Sequence, residues 1–260
     1  MIQVAFANNV KKILEPDEQV IGLAIGGSWL ESQMDEFSDL DLILITADKL
    51  SGDKDKMMSY ARRLGDLLSG FTGEHVGEPR LLICLYDNPL LHVDLKFLTL
   101  EEFKTRVETP VILLDKGNRL QVILEQTSAG YPYPDHQWIE DRFWIWIHYA
   151  LLKIGRGEYF EAFDFLGFLR LAVLGPLLQI RNGQLPRGVR KVETALPADD
   201  FNRLKQTLPL YDRQSLLTAL HHCVALYREL RAAVFNTGVQ FHHETETRVL
   251  QYFEVISNKT

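Results

Sequence analysis

The stretch at 21–45, IGLAIGGSWLESQMDEFSDLDLILI, holds the residues most able to do chemistry. An apolar run ends in Gly26-Gly27-Ser28, and about ten residues later Asp39-Leu40-Asp41 stands at the head of a second apolar run. On a strand, residues i and i+2 project from one face, so both carboxylates can hold one cation, or a pair about 4 Å apart. Bare, they repel each other, and the site should be incomplete without metal. Oxygen donors alone suit magnesium bound to substrate phosphates better than zinc. Upstream, the glycine pair forms a turn of little bulk where backbone N–H groups can approach a phosphate. The Ser28 hydroxyl and a following helix N-terminus would add donors. Either half alone reads as a plain strand-to-helix turn or a solvated strand edge. Together, phosphate upstream and metal downstream, they describe a nucleoside triphosphate site.

The residues Ile25 to Ser28, followed by the Asp-apolar-Asp-apolar run of Asp39 to Leu42, resemble the signature of the polymerase-β-like nucleotidyltransferase superfamily. The resemblance implies a third carboxylate on a nearby strand. Asp94 in HVDLKFL, flanked by Val93 and Leu95, is the candidate, because an acid alternating with apolar residues needs a partner or a metal. Asp87, its competitor, precedes Asn88-Pro89 and already has a turn role. A short catalytic domain followed by a helical one looks most like the small antibiotic nucleotidyltransferases, those acting on lincosamides and aminoglycosides. The passage HYALLKIGRGEYFEAFDFL at 148–166 carries that likeness into the second half. There the resemblance implies that Lys153 contacts the triphosphate. Some relatives place a catalytic glutamate one turn before this lysine, but here the position is Tyr149, a poor base at neutral pH. The base role therefore moves to Asp94, with Glu158 and Glu161 as further candidates.

The elements that must position these residues divide into two textures, with the change near SAGYPYPD at 128–135. Residues 1–130 are expected to form a nucleotidyltransferase domain and residues 131–260 a C-terminal helical bundle. The first part alternates β-like runs at 20–25, 40–45, 80–86, 90–98 and 111–115 with helical periods at 3–14, 54–69 and 100–107. This predicts an α/β (α+β) domain, a mixed sheet flanked by helices. The second part shows only helical periods, near 135–154, 157–181, 198–208, 212–236 and 240–256. Asp135 and Asp212 are expected as caps, and Gly155 and Gly157 as the end of the first of these helices. Along that helix Ile139, Phe143, Ile147, Ala150 and Ile154 form an apolar stripe, while Arg142, Trp146, Tyr149 and Lys153 follow another face, a pattern that suits a nucleotide.

Composition narrows the partners. With 28 basic against 35 acidic side chains, the net charge is -7, which argues against gripping a long polynucleotide by counterion release. The start MIQVAFANNVKKIL lacks the order of a secretory signal, and the longest apolar stretch is interrupted by Arg170 and Pro176, so no membrane partner and a cytoplasmic location are expected. Cys84 and Cys223 stand in apolar runs without a CxxC pair and are expected to be reduced and buried. The adjacent pairs His221-His222 and His242-His243 point about 100° apart on a helix and read as surface or cap residues. The function implied is magnesium-dependent transfer of a nucleoside monophosphate, AMP from ATP or its equivalent from another nucleoside triphosphate, to a hydroxyl of a small molecule, with release of pyrophosphate. Asp39, Asp41 and Asp94 would hold two magnesium ions, and Gly27, Ser28 and Lys153 the phosphates. Two rivals keep part of this reading: the same chemistry on a protein or RNA acceptor, and a nucleotide-binding module without turnover.

Overall fold

The computed structural model describes residues 1–30 and 34–259. The chain forms two compact units, Met1–Tyr131 and Pro132–Thr260. In the first, the order is α1 (Ile2–Leu14), β1 (Val20–Ile25), β2 (Leu40–Thr46), α2 (Lys54–Leu64), β3 (Asp66–Gly73), β4 (Glu78–Asp87), β5 (Leu91–Leu98), α3 (Leu100–Phe103), β6 (Val111–Asp115) and α4 (Arg119–Gln126). Six strands make one mixed sheet in the order β3-β4-β5-β2-β1-β6. Only β2 and β5 run parallel among these pairs, joined through α2, β3 and β4, and their register sets Asp41 against Asp94.

Alternation along the two central strands sorts their side chains. Leu40, Leu42 and Leu44 of β2, with Val93, Leu95 and Phe97 of β5, join Ala7, Val10 and Leu14 of α1 and Met57, Ala61 and Leu64 of α2 in one core layer. Each such side chain taken fully from water contributes about 2 kcal/mol, so this layer stabilises the sheet and frees the opposite face to carry acids. That opposite face is covered at one end only, where Ile45 and Leu98 meet Phe103 of α3 and Leu120 and Ile123 of α4. Beyond that end lie Asp41 and Asp94.

Three boundaries differ from the sequence expectation. The helix expected over 54–69 ends at Leu64, and 66–73 is the edge strand β3. Its break falls at Gly65, where a Cβ would come 3.3 Å from the rings of both Phe6 and Tyr86. The helix expected over 100–107 is the single turn α3, although its start is a full capping box between Thr99 and Glu102. The helix α4 was not expected at all; only Leu120 and Ile123 of it are buried, too few to show a period.

The second unit contains α5 (His136–Arg156), α6 (Tyr159–Leu169), α7 (Gly175–Arg181), α8 (Val192–Ala195), α9 (Ala198–Lys205), α10 (Arg213–Val234) and α11 (His243–Ser257), with no strand among the described residues. Asp135 accepts from the N–H groups of Gln137 and Trp138, Asp212 from that of Ser215, and Gly157 closes α5 in the left-handed region. Ile139, Phe143, Ile147, Ala150 and Ile154 are all buried in the bundle core. Between α6 and α7 the backbone keeps its helical course through a π turn at Arg170–Leu174, which absorbs the hydrogen bond that Pro176 cannot donate. The resulting segment Tyr159–Arg181 is the one helix, among the described residues, long and apolar enough to cross a membrane by length and composition; half of its most apolar window is buried inside the protein, as in a core helix. Cys84 and Cys223 are free thiols, both buried, and burial pushes each up to about 12.

One polar knot holds the bundle. The Glu140 carboxylate, wholly buried on α5, accepts from the Tyr227 hydroxyl at 2.5 Å, from the Arg231 guanidinium at 3.1 Å and from the backbone N–H of His242 at 3.1 Å. Arg231 also reaches Glu246 on α11 at 2.9 Å. Removing a single member leaves a buried charge unpaired, so Arg231→Met is expected to destabilise this unit by roughly 3–5 kcal/mol in a urea titration followed by circular dichroism. A loss under about 1 kcal/mol would mean that solvent already satisfies these carboxylates.

Candidate active site

The site is built where β1 leaves the sheet and β2 enters it. Gly26 N–H donates to the Asp41 carbonyl at 3.0 Å, closing the ladder as the chain turns. Gly27–Trp29 then form one 3-10 turn. A helix was expected after Ser28; the turn ends at Leu30, and residues 31–33 lie outside the described residues. A single turn aligns few peptide dipoles, so donors at this point are individual N–H groups and the Ser28 hydroxyl.

On the approach to β2, residues 35–38 are pinned. Ser38 Oγ donates to Asp35 Oδ1 at 2.9 Å and accepts from Asp35 N–H, while Asp35 Oδ1 also accepts from Phe37 N–H. From the other side Gln3 of α1, itself 1% exposed, donates its amide to the carbonyls of Asp35 and Ser38. Asp39 and Asp41 thus follow a fixed turn into a fixed strand.

Asp39, Asp41 and Asp94 converge, one carboxylate oxygen of each lying within 4.8 Å of the others. No other group of three or more potential ligands is present among the described residues. All three are partly exposed, and the donor set is entirely hard oxygen, which fits a divalent cation of the magnesium type. Asp87 lies apart from them, at the exposed end of β4, where its carboxylate accepts from the N–H of Asn88 in the turn. Asp94 has a partner that sequence reasoning missed. His92 Nε2 lies 3.0 Å from Asp94 Oδ1, a contact between residues i and i+2 on one strand face, and that spacing was open to view in HVD.

The glycine pair makes room for carboxylates before it makes room for anything else. Gly27 has φ +62, and a Cβ there would lie 1.8 Å from Asp41 Oδ2. A Cβ on Gly26 would lie 2.4 Å from Oε1 of Glu108, and that same oxygen accepts the Gly27 N–H at 2.8 Å. Nothing in VETP around Glu108 marked it as a site residue. A cavity of about 220 Å³ opens beside this cluster, lined by Asp41, Asp94, Lys96, Phe103, Arg106 and Glu108 among others. At its far side Lys96 is paired with Glu78 at 2.7 Å; Arg80 and Lys96 together hold the Glu78 carboxyl down at about 2.

Lys153 belongs to the second unit. Its ammonium is bonded to Glu158 at 2.7 Å and Glu161 at 2.9 Å, which raise its pKa, and it lies 5.1 Å from the centre of the Tyr149 ring. Tyr149 donates its hydroxyl to Glu161. Both glutamates considered as bases are therefore engaged with this lysine. Arg142 lies over the Trp138 ring at 4.4 Å and donates to the Trp138 carbonyl.

The carboxylates converge beside a glycine turn on one face of a mixed sheet, and by its family this chain is a nucleotidyltransferase. More narrowly, it belongs to the streptomycin adenylyltransferase family, whose sequence pattern matches residues 4–256. Among solved structures it is similar to an aminoglycoside 6-adenyltransferase from Bacillus subtilis, with 18% identity and TM-score 0.43 over 97% of this chain and 98% of that one. A nucleotidyltransferase-like protein from Exiguobacterium sibiricum gives 15% identity and TM-score 0.39 over 98% and 88% of the two chains. A spectinomycin adenyltransferase from Enterococcus faecialis, solved with ATP and spectinomycin, gives 16% and 0.30 over 98% and 99%. No curated protein matches the chain.

The contact between Gly27 and Asp41 gives a direct test. Gly27→Ala should push the Asp41 carboxylate out of the trio and weaken Mn2+ binding, followed by electron spin resonance, by about tenfold or more. Gly52→Ala, also at positive φ (+91) but with nothing within 4 Å of the new methyl, introduces backbone strain without the clash and should leave Mn2+ binding unchanged.

Proposed function

We propose that this protein transfers a nucleoside monophosphate, AMP from ATP, to a hydroxyl of a small molecule in a magnesium-dependent reaction that releases pyrophosphate. The observation that carries the proposal is the convergence of Asp39, Asp41 and Asp94 beside the Gly26-Gly27-Ser28 turn. The family description names streptomycin, so an antibiotic of that kind is the first acceptor to assay.

Asp39, Asp41 and Asp94 would hold the metal, two ions in the reading favoured here. Bound there, magnesium would neutralise charge on the triphosphate and lower the pKa of the acceptor hydroxyl. The chain's own residues do the rest. The Gly27 N–H and the Ser28 hydroxyl donate to the phosphates and fix the chain of phosphorus atoms for in-line attack, so that catalysis is mostly alignment. Asp94 accepts the proton of the attacking hydroxyl, and the contact from His92 at 3.0 Å fixes which way its carboxylate faces. Glu158 and Glu161 are less suited to that task, since each is already bonded to Lys153. The role of Lys153 as a phosphate contact rests on the family resemblance, and its ammonium would have to exchange a carboxylate for a phosphate oxygen. The two free, buried thiols are consistent with a reducing, cytoplasmic setting.

Calorimetric titration of a non-hydrolysable ATP analogue, with and without magnesium, tests the nucleotide half. Binding is expected only with magnesium and is expected to be lost in Asp39→Asn. Pyrophosphate release with streptomycin as acceptor tests the chemistry, and Asp41→Asn should lower it about a thousandfold with the fold intact. Retained turnover in that variant would sink the mechanism.

A further inference from the structure

Glu108 stands where the reading above puts phosphate. Its Oε1 accepts the Gly27 N–H at 2.8 Å, and that N–H is one of the donors the glycine turn would offer to a triphosphate oxygen. A Cβ at Gly26 would lie 2.4 Å from the same oxygen, so the bare glycine is what lets the carboxylate rest against the turn. A glutamate carboxylate and a phosphate present the same thing to an N–H, an anionic oxygen about 2.8 Å away. They cannot occupy one donor together without strong repulsion, since both are negative.

The geometry points to Glu108 as an anionic placeholder: in the nucleotide-free protein its carboxylate holds the Gly27 N–H, and nucleotide binds only by displacing it. This inference rests on the proposed triphosphate site and adds a residue that sets its affinity. Two features of the surroundings favour such a role over a fixed strut. Glu108 is only partly buried and stands in the loop between α3 and β6, outside any helix or strand. It also lines the cavity of about 220 Å³, where Lys96 and Arg106 stand among the acids Asp41, Glu78 and Asp94, which gives the displaced carboxylate a volume with two cations to turn towards. While in place, the carboxylate satisfies the Gly27 N–H and so holds the turn in its present conformation. Its departure is a charge exchange, one anion for another at the same donor.

Displacement has a thermodynamic signature. A site that must first expel its own occupant shows an apparent affinity reduced by the fraction of time the occupant is away. Removing the occupant should therefore tighten nucleotide binding. The experiment is calorimetry of the non-hydrolysable ATP analogue with magnesium on wild type, Glu108→Ala, Glu108→Gln and Asp39→Asn, with the backbone amide resonance of Gly27 followed by NMR in parallel. Expected are a Kd about tenfold lower in Glu108→Ala, a smaller gain in Glu108→Gln, whose amide oxygen still accepts but carries no charge, and loss of binding in Asp39→Asn. The Gly27 resonance in Glu108→Ala should move relative to wild type before any nucleotide is added. Unchanged or weaker binding in both Glu108 variants, with wild type binding normally, would overturn the placeholder and leave the triphosphate site standing. No binding by wild type or by any variant would overturn both.

Discussion

Two like charges are set side by side in the middle of this sheet, and the remainder of the first unit is arranged around that fact. The parallel pairing of β2 with β5 places Asp41 directly against Asp94, a neighbour relation that is unfavourable for carboxylates on one sheet face. The strands are held to this register from behind, where Leu40, Leu42, Val93 and Leu95 lock into the layer beneath α1 and α2. A slip of either strand by one residue would carry its acid into that apolar layer and its apolar set into water. Repulsion on one face is thus tolerated because burial on the other forbids every alternative. An oxygen-seeking divalent ion between the two acids would relieve that repulsion.

The glycine turn belongs to the same arrangement. Its two residues lack side chains because two carboxylates press on them from different directions, Asp41 from the strand below and Glu108 from a distant loop. The bareness of such a turn is commonly attributed to the approach of a ligand. Here the protein's own acids already need the space, and ligand access follows from it. The second unit handles its charges differently: Glu140 is sealed in and satisfied by Tyr227, Arg231 and a backbone N–H, while Lys153 shares two glutamates near the surface. The first of these ties α5 to α10 and α11, and the second ties the end of α5 to the start of α6.

Much of this was legible in the sequence because the informative signals were local. The strands around the acids alternate cleanly, and Asp94 could be preferred to Asp87 from its apolar flanks alone. The helical stripe of Ile139 to Ile154 and the caps at Asp135 and Asp212 were equally plain. Edge strand β3 was hidden because Leu67 and Leu68 prolong the helical period of α2, and because an exposed edge carries no apolar alternation; Gly65 was the clue to the break. Glu108 could not be found by pattern, since its contact with Gly27 spans 81 positions and VETP has no period or motif. The helix expected after Ser28 runs into residues 31–33, outside the described residues; before them stands one 3-10 turn.

The crossover between β2 and β5 has a consequence for how the protein is made. Asp41 and Asp94 touch the same small volume but are about fifty residues apart in the chain, with α2, β3 and β4 folded between them. Closing a loop of that length carries an entropy cost that is met only once the intervening hairpin has found its place beside β5. The acidic trio is therefore among the last features of the sheet to exist, and no fragment ending before β5 can display it. An ion seated there would act as a clasp on the finished topology, favouring the native chain path over every partly threaded one by mass action.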